Sequence, residues 1–359
     1  MRRIAVLGAL VVSIVACTTV PAAAKGDTPP YTGDTSGFDA VNQSMDKRVR
    51  VDGLDGGMVL VVRDGQVVDQ RSYGDLGGET VIPIASASKW LTSATLMTLV
   101  DEGRLSLDDP VAAVLPGFGG DKKQVKVRHL LSHTSGLAYT TCVGDTTWTT
   151  EDCVAAIAAG PGPSAKPGTE FVYTSVGYEV AARIIEVLTG QSFEDAFETR
   201  IARPLGMAHT RFDTYAGQRI RHPIPAASGT SSVDDYARFV AMMANDGVAA
   251  DGQRILSADS VAAIEADQVK GIDTRGDGAV QTTGIPTYGL GIWRDVVGPD
   301  DEIRVLSGSG AYGFYPWIDR RHGTYGIIGV ADVAHGADHA VPASQRQARA
   351  AWRAAARLP

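Results

Sequence analysis

Several features that would place a chain in a common protein class are missing from this sequence. Beyond the first two dozen residues, no apolar run approaches the roughly 20 residues that a membrane helix needs. The formal net charge is -8 and no stretch interleaves basic with aromatic residues, so nucleic-acid binding is not expected. Internal repeats and low-complexity tracts are also missing. A chain of 359 residues with 44% hydrophobic content is therefore predicted to bury a large core.

Common catalytic motifs are missing as well. No Gly-x-Ser-x-Gly sequence is present, which argues against an α/β-hydrolase triad, and no Gly-Lys-Ser/Thr loop is present to cradle a phosphate. His129 and His133, like His335 and His339, have helical metal-ligand spacing, but neither pair contains the glutamate of a zinc protease. The sequence therefore predicts neither a catalytic metal nor an organic cofactor.

The first 24 residues have the pattern of an export signal. Arg2 and Arg3 precede an apolar run at residues 4 to 16, and the alanines at 22 to 24 provide the small residues of a cleavage site. The signal is left out of the fold because it is removed from the mature protein. We expect an exported protein, periplasmic or extracellular.

The same segment offers a lipid anchor as an alternative. Residues 14 to 17 resemble the bacterial lipoprotein signal, in which the cysteine, here Cys17, becomes the lipidated first residue. Lipidation would leave residues 18 to 36 as a polar leash to the membrane. With ordinary cleavage, residues 25 to 45 form the leash ahead of a folded domain at residues 46 to 359.

Cysteine usage fits an oxidising compartment. With Cys17 removed or lipidated, Cys142 and Cys153 remain as a close pair. We expect these two residues to form a structural disulfide, not a redox-active one. Closing so short a loop adds about 3 kcal/mol of stability in the chain-entropy model.

Strand patterns stand at both ends of the domain and helical patterns in its middle. Two apolar runs flank an Asp-Gly turn and predict a hairpin, which a helix ending near Gly103 follows. The predicted strands are 58–62, 67–73, 290–294, 303–306, 313–318 and 324–331. The predicted helices are 87–102, 127–133, 151–159, 176–189, 193–201, 233–245, 257–267 and 342–356.

This order predicts an α+β fold. An antiparallel sheet is built from the N- and C-terminal strands and flanked by helices, and a mainly helical lobe is inserted into it. The α/β lobe takes about residues 46–125 and 286–359, and the helical lobe about residues 126–285. A cleft between the lobes is the default place for a site.

Candidate catalytic residues appear where an extended segment meets the helix at residues 87–102. Ser86 and Lys89 are three residues apart, so their side chains project from the same side of the first turn. A lysine in a poorly solvated cleft loses proton affinity and, when neutral, can accept the proton of a serine hydroxyl. The helix N-terminus also favours the negative charge that develops on the serine. The spacing thus indicates a serine nucleophile activated by lysine.

Further segments share a recognisable pattern with this one. They are Ser-Ala-Ser-Lys at residues 86–89 and the stretches at residues 99–110, 127–137, 167–175, 204–207 and 234–239. Together they resemble the serine β-lactamase and penicillin-binding-protein superfamily over about residues 50 to 330. The nearest branch is that of class C β-lactamases with the related esterases and D-aminoacyl hydrolases. The resemblance implies the β-lactamase/transpeptidase fold and an acyl-enzyme on the serine.

The second motif of the superfamily is Tyr-x-Asn, and residues 173–175 fill its place. The resemblance therefore assigns Tyr173 to proton transfer between Ser86 and the leaving group. Ser175 departs from the pattern, because its hydroxyl reaches less far than an asparagine amide and offers one donor instead of two. His133 is interpreted as a structural residue of the family whose ring ties a loop to the helical lobe.

The third motif is Lys-Thr-Gly or His-x-Gly on a strand that lines the cleft. The only candidate lies between Leu306 and Phe314 and carries no cation, so Arg304 or Arg320 is the alternative source of positive charge. In the family this cation commonly binds a substrate carboxylate, and its absence favours substrates without one. An N–H from this strand and that of Ser86 would form an oxyanion hole. The residues so assigned are Ser307, Gly308, Ser309, Gly310 and Ala311.

The resemblance implies a serine hydrolase acting on a carboxylic ester or amide, and the missing cation favours an esterase-like role. A β-lactamase or D-Ala-D-Ala carboxypeptidase is the alternative within the family. A catalytically silent lipoprotein that binds cell-wall peptides is the alternative of another class. The expected partner is a small-molecule or peptide substrate, and the chain is expected to be a monomer. Aromatic candidates for the cleft are Trp148, Tyr312, Tyr315 and Trp317.

Overall fold

The computed structural model describes residues 31–215, 218–220 and 222–358. Its helices are α1 Asp39–Val51, α2 Ser88–Asp101, α3 Val127–Leu131, α4 Thr150–Ala159, α5 Val176–Thr189, α6 Phe193–Phe197, α7 Val233–Ala244, α8 Ala258–Glu265, α9 Gly278–Thr283 and α10 Ala337–Ala355. Its strands are β1 Gly56–Arg63, β2 Gln66–Gly74, β3 Ile82–Pro83, β4 Thr214–Tyr215, β5 Gln218–Arg219, β6 Thr230–Ser231, β7 Trp293–Val297, β8 Ile303–Ser307, β9 Tyr315–Asp319 and β10 Thr324–Gly329. The predicted export signal and Cys17 lie outside the described residues.

A six-stranded antiparallel sheet forms the centre of the molecule. Its strand order is β2-β1-β10-β9-β8-β7, so strands from both ends of the chain lie side by side. β1 pairs directly with β10, and Met58 lies opposite Gly329. The predicted α+β fold, with a sheet built from N- and C-terminal strands and flanked by helices, is confirmed.

The predicted hairpin between β1 and β2 is also present. Its two turn residues, Asp64 and Gly65, have φ values of 49° and 76°. Positive φ at both positions matches the twist of the antiparallel strands, and aspartate and glycine tolerate it better than branched residues.

Helices α1 and α10 pack on one face of the sheet. Phe38, Val41 and Met45 are buried there beside Trp317 of β9 and Trp352 of α10. The predicted leash through residue 45 is therefore corrected for residues 39–45, because apolar side chains four residues apart give this segment a buried helical face. Helix α10 begins at Ala337, five residues before its predicted start, with Pro342 inside it.

Helix α2 lies in the interior. Every residue from Ser88 to Leu99 is buried, as expected for a helix covered on all sides. Trp90 packs edge-on against Phe239 of α7 with ring centroids 5.3 Å apart. Gly103 follows the helix with a φ of 68°, where the sequence predicted the stop.

In chain order, helices α3 to α9 come between β3 and β7. α5 packs against α2, α3 and α4, and one hydrophobic core runs through α2, α5 and α7. The division into an α/β lobe and a helical lobe stays a prediction. None of the helices in the described residues has the length and apolar content needed to cross a membrane.

Cys142 and Cys153 form the predicted disulfide, with their Cα atoms 5.4 Å apart. Cys153 belongs to α4, so the bond ties this helix to the loop that precedes it. Both sulfurs are buried in the main hydrophobic core.

Candidate active site

Ser86 lies in a tight turn at the start of α2. The turn spans Ala85–Ala87 in 3-10 conformation, and Ala85 has a φ of 44°. Gly229 fixes the turn, since its carbonyl accepts a hydrogen bond from Ile84 N at 3.0 Å and its amide donates to Ser88 Oγ at 2.9 Å. Positive φ is uncommon at a residue other than glycine, and such strain concentrates at functional sites.

The side chain of Lys89 reaches Ser86 within the buried first turn of α2. Its Nζ lies 3.0 Å from Ser86 Oγ and 3.0 Å from the carbonyl oxygen of Ala226. Lys89 is 2% exposed, and burial lowers the pKa of its amine to about 7. Burial is the sole cause of this shift, so no carboxylate of the described residues offsets the loss of water. A lysine that is partly neutral near pH 7 therefore lies beside the serine hydroxyl.

Tyr173 lies just before α5 and borders the same amine. Lys89 Nζ is 4.7 Å from the centroid of the Tyr173 ring. Burial raises the pKa of the Tyr173 phenol to about 12, and its hydrogen bond with Ser86 opposes this shift only in part. The phenol therefore stays protonated near neutral pH. The structure thus brings together the three residues to which the sequence assigned catalysis.

Aromatic rings hold Tyr173 in place. It stacks on Trp293 with centroids 5.4 Å apart and planes 13° apart, and the ring of His133 lies 4.3 Å away. His133 Nδ1 accepts a hydrogen bond from Thr174 N at 3.2 Å, which places the ring proton on Nε2. Burial first, and the charge of Lys89 second, hold the pKa of His133 well below its ordinary value. Neutral His133 therefore braces the tyrosine, in line with the structural role expected from the sequence.

The predicted third-motif segment, residues 307–311, runs next to the Ser86 turn. A Cβ on Gly310 would collide with the carbonyl oxygen of Ile84, two residues before Ser86. Only glycine permits so close an approach of two backbones. The segment therefore forms the second wall of the candidate site.

The amides of this segment point in alternating directions. Gly308 N and Gly310 N each donate to carbonyl oxygens of the β9 side of the hairpin at 2.9 Å, so neither amide faces a substrate. The amide of Ser309 faces the opposite side, where the pairing of β7 with β8 extends only to Ser307. The predicted contribution of Gly308 and Gly310 to an oxyanion hole is therefore corrected, and Ser309 is the remaining donor among these three.

The Ser307 side chain is turned away from Ser86. Its hydroxyl donates to Asp295 Oδ2 at 3.2 Å, and the same carboxylate accepts from Tyr315 at 2.6 Å and from Arg349 of α10 at 3.0 Å. These partners lie on the face of the sheet that α10 covers. The predicted substrate contact of the Ser307 side chain is thus not supported. Ala311 follows in the turn toward β9 and stays a prediction.

Neither arginine proposed as a substitute cation reaches the Ser86 turn. Arg304 pairs with Glu302 at 3.1 Å near the start of β8, and Arg320, after β9, donates to Glu265 at 3.2 Å. The backbones of the two arginines are joined by a 2.8 Å hydrogen bond from Arg320 N to Arg304 O. Gly308 is four positions after Arg304, which corresponds to about 13 Å along an extended strand. Both cations are therefore committed to carboxylates at the far end of the hairpin.

The sequence profile of the family described as Beta-lactamase matches residues 41–351. The chain belongs to the β-lactamase family. Penicillin-binding protein 4 of Amycolatopsis lactamdurans is 36% identical to it over 278 residues, 65% of this chain and 70% of that protein. This membership confirms the superfamily and the fold expected from the sequence motifs, and it supports a hydrolase with small-molecule substrates.

Solved structures share the β-lactamase-family fold. A protein from Bacteroides dorei DSM 17855, provisionally assigned as a β-lactamase, matches with a TM-score of 0.79 and 30% identity over 90% of this chain and 99% of that one. EstCE1, described as a hydrolase with promiscuous acyltransferase activity, matches with a TM-score of 0.70 over 88% of this chain and 98% of that one. At 21% identity, the second likeness concerns the fold alone.

Ser175 of the β-lactamase-family second motif directly precedes α5. Its backbone carbonyl accepts from Tyr178 N at 3.0 Å, while its side chain makes no capping hydrogen bond. The hydroxyl is thus not used in starting the helix, and its contact with a substrate stays a prediction.

Sequence reasoning missed a buried pair at the start of the loop that contacts Lys89. Glu179 of α5 and His222 are both inaccessible to solvent, with Glu179 Oε2 3.0 Å from His222 Nε2. His222 begins the loop that supplies Ala226 O to Lys89 and ends at Gly229 behind the Ser86 turn. Burial raises the pKa of Glu179, and the bond to His222 opposes that shift. No motif marked these residues, because they lie 43 positions apart in the sequence.

Asp277 and the aromatic wall were missed as well. Asp277 Oδ2 accepts from Tyr173 N at 2.8 Å, while its Oδ1 caps α9 by accepting from Ala279 N at 2.8 Å. Of the aromatic candidates named from the sequence, Tyr315 and Trp317 are fully buried against α1 and α10, so their predicted place in the cleft is wrong. Trp148 is 37% exposed and Tyr312 half-buried.

Proposed function

We propose that this β-lactamase-family protein is an exported serine hydrolase that cleaves carboxylic esters, or amides, through an acyl-enzyme on Ser86. The observation that carries the proposal is the 3.0 Å contact between Lys89 Nζ and Ser86 Oγ, together with an amine pKa that burial lowers to about 7. A base whose pKa lies near the working pH combines a populated neutral form with enough proton affinity to take the hydroxyl proton.

In the proposed acylation, Ser86 Oγ attacks the substrate carbonyl carbon and its proton passes to Lys89. The tetrahedral intermediate then loses the leaving group, and the departing oxygen or nitrogen takes a proton through the Tyr173 hydroxyl. A pKa of about 12 keeps that phenol protonated, which favours Lys89 over Tyr173 as the base. Water then attacks the acyl carbon and gives a proton to the same base; the bond from that carbon to Ser86 Oγ breaks, the acid leaves, and the base returns the proton to Ser86 Oγ.

Developing negative charge on the carbonyl oxygen needs donors held in place beforehand. We assign this role to the amide of Ser86 and the amide of Ser309. The first lies at the N-terminus of α2, where the helix dipole also favours negative charge. The second lies outside the sheet ladder on the wall that contacts Ile84.

We propose a substrate that carries no carboxylate near the carbonyl group that Ser86 attacks. Residues 307–311 carry no cation, and Arg304 and Arg320 are held by carboxylates elsewhere. A β-lactamase or D-Ala-D-Ala carboxypeptidase is the second candidate, which the 36% identity to Penicillin-binding protein 4 favours. The short contact between Ser86 and Lys89 argues against a catalytically silent binding protein.

The test compares initial hydrolysis rates of a short-chain p-nitrophenyl ester and a chromogenic cephalosporin. Ester turnover that exceeds cephalosporin turnover is the expected result. Ser86→Ala should abolish the ester activity and the acyl adduct seen by mass spectrometry, while Ser164→Ala, a surface serine bonded to Gly136 O, should behave as wild type. Fast cephalosporin turnover would favour a β-lactamase instead. An acyl adduct on Ser86 that is never hydrolysed would favour the catalytically silent binding protein.

Export is part of the proposal. The Cys142–Cys153 disulfide is of a kind that persists in oxidising compartments. A lipid anchor at Cys17 and a monomeric state stay predictions. Mass spectrometry of the mature N-terminus and sedimentation of the purified protein test them in turn.

A further inference from the structure

A second cluster of chemistry-bearing side chains lies where β10 leads into α10. His335 Nδ1 is 2.6 Å from Asp332 Oδ1, and His339 Nδ1 is 3.2 Å from Asp332 Oδ2. The two imidazole rings have centroids 4.9 Å apart. One nitrogen of each ring and a carboxylate oxygen all lie within 4.8 Å of one another. None of these groups is used in the hydrolytic site around Ser86.

The backbone fixes this arrangement. Asp332 N donates to Tyr312 O at 2.8 Å, which holds the carboxylate at the end of the sheet. His335 N in turn donates to Asp332 Oδ1 at 3.3 Å, and Gly336, with a φ of 72°, leads the chain into α10. His335 lies just before α10 and His339 lies in its first turn, and the turn at Gly336 brings their two rings to within 4.9 Å of each other, centroid to centroid. The cluster is therefore a consequence of the loop and helix geometry.

The carboxylate is buried and the imidazoles face solvent. The side chain of Asp332 is 0% exposed, whereas those of His335 and His339 are 40% and 46% exposed. Arg48 of α1 lies behind the carboxylate, with Nη2 3.5 Å from Asp332 Oδ2 and Nη1 donating to Ser344 Oγ at 3.0 Å. The arginine holds the carboxylate in place and cancels its charge. A cation would therefore bind by coordination to the ligand atoms, with no net negative charge to attract it.

We propose that Asp332, His335 and His339 form a binding site for a divalent transition metal of the zinc class, with water completing the coordination. Two nitrogens and one oxygen suit Zn²⁺, Co²⁺ or Ni²⁺, whereas Ca²⁺ and Mg²⁺ prefer oxygen alone. In a tetrahedral site with metal–ligand bonds of about 2.0 Å, neighbouring ligand atoms lie about 3.3 Å apart. His335 Nδ1 and Asp332 Oδ1, now 2.6 Å apart, would therefore separate by less than about 1 Å when the metal binds.

The role of this metal is structural. It joins the end of the sheet to the start of α10, and it does not alter the assignment of catalysis to Ser86, Lys89 and Tyr173. A second group with metal-ligand spacing, Cys153 with Glu179 and His222, is not a candidate, because the Cys153 sulfur is bonded to Cys142.

The test uses the full mature chain without an affinity tag, stripped with a chelator and dialysed against zinc chloride at neutral pH. We expect one zinc ion per chain, and with cobalt chloride we expect the visible absorption bands of a tetrahedral site. His335→Ala and His339→Ala should each raise the dissociation constant by about tenfold or more, since loss of a mere supporting residue already costs about 10–100-fold.

His322→Ala is the matched control. His322 Nδ1 lies 2.8 Å from Asp319 Oδ2, so this variant removes a similar surface His–Asp pair that lacks a second imidazole among the described residues. Its zinc binding should equal that of wild type. Absence of stoichiometric zinc, or equal binding by all four proteins, would overturn the proposal. Circular dichroism checks folding, and a variant that fails to fold is replaced by His335→Gln or His339→Gln, to which the same outcomes apply.

Discussion

The two walls of the candidate site differ in the charge that they carry. On the wall formed by α2 and the segment before α5, burial lowers the pKa of Lys89 to about 7 and raises that of Tyr173 to about 12. On the wall formed by residues 307–311 there is no ionisable side chain. The groups that activate the nucleophile are thus separate from those that would recognise a charged substrate. A molecule of this kind can keep its acylation chemistry while its substrate preference changes.

The largest expected effect is on the charged wall. Lys89→Met should lower kcat/KM for a p-nitrophenyl ester by about 10³-fold or more, because the variant removes the proposed base and keeps the buried volume. Initial rates on the purified variant measure this loss. The same substitution should raise the melting temperature near neutral pH, since it removes a buried amine.

The sign of that stability change follows from the pKa. Lys89 titrates near 7 when folded and near 10.4 when unfolded, so burial of the amine destabilises the fold fully below about pH 7, and this penalty fades as pH rises toward about 10.4. Lys122 is the matched control, because it is also buried and donates to Ala158 O and Gly160 O away from the site. Equal loss of activity in Lys122→Met and Lys89→Met would reduce the role of Lys89 to packing.

An intermediate effect is expected from substrates that probe the uncharged wall. Two p-nitrophenyl esters of one succinyl chain, ending in a free carboxylate and in a methyl ester, differ by a single charge. The methyl ester should have a kcat/KM about tenfold higher. On binding, the free carboxylate gives up its hydration shell and finds no cation on this wall to pair with. Spontaneous hydrolysis of both esters corrects for intrinsic reactivity. Preference for the free acid would mean that a cation reaches this wall.

The smallest effect on activity is expected behind the charged wall. Glu179→Gln should lower kcat/KM by about tenfold or less and the free energy of unfolding by about 1–3 kcal/mol, because it removes the charge from a buried contact with His222, four residues before Ala226. Thermal unfolding and ester rates measure the two effects. Glu186→Gln, on the same helix and paired with Arg183, is the control. Equal effects in both variants would mean that Glu179 has no specific part in positioning the loop that contacts Lys89.

The parts of the site that the sequence predicted well have local signals. Ser86 and Lys89 share one helical turn, so their spacing placed both side chains on the same side, and the resemblance to the family pointed to their pairing. Tyr173 comes from 84 residues beyond Lys89, and only the resemblance to known proteins pointed to it. The Asp-Gly hairpin and the Cys142–Cys153 disulfide likewise followed from short segments.

The parts that the sequence did not predict depend on register or on distant contacts. Within the glycine-rich segment after β8, no pattern showed that the Ser307 side chain faces Asp295 and that Ser309 presents the unpaired amide. Asp277 and Trp293 meet Tyr173 only after more than 100 residues of chain. Helix α1 was missed because its mostly polar sequence hides a narrow buried face.

The pH dependence of kcat/KM reports the ionisation of groups in the free enzyme and so shows whether Lys89 is the base. Ester hydrolysis should be measured from about pH 5 to about pH 9, with the Ser86→Ala background subtracted. Lys89 must be neutral to accept the proton, so we expect kcat/KM to rise with pH through a midpoint near 7. His133 should not contribute, since its pKa is held well below that range. A flat profile, or a midpoint near the ordinary pKa of a carboxylate, would contradict the assignment of Lys89 as the base.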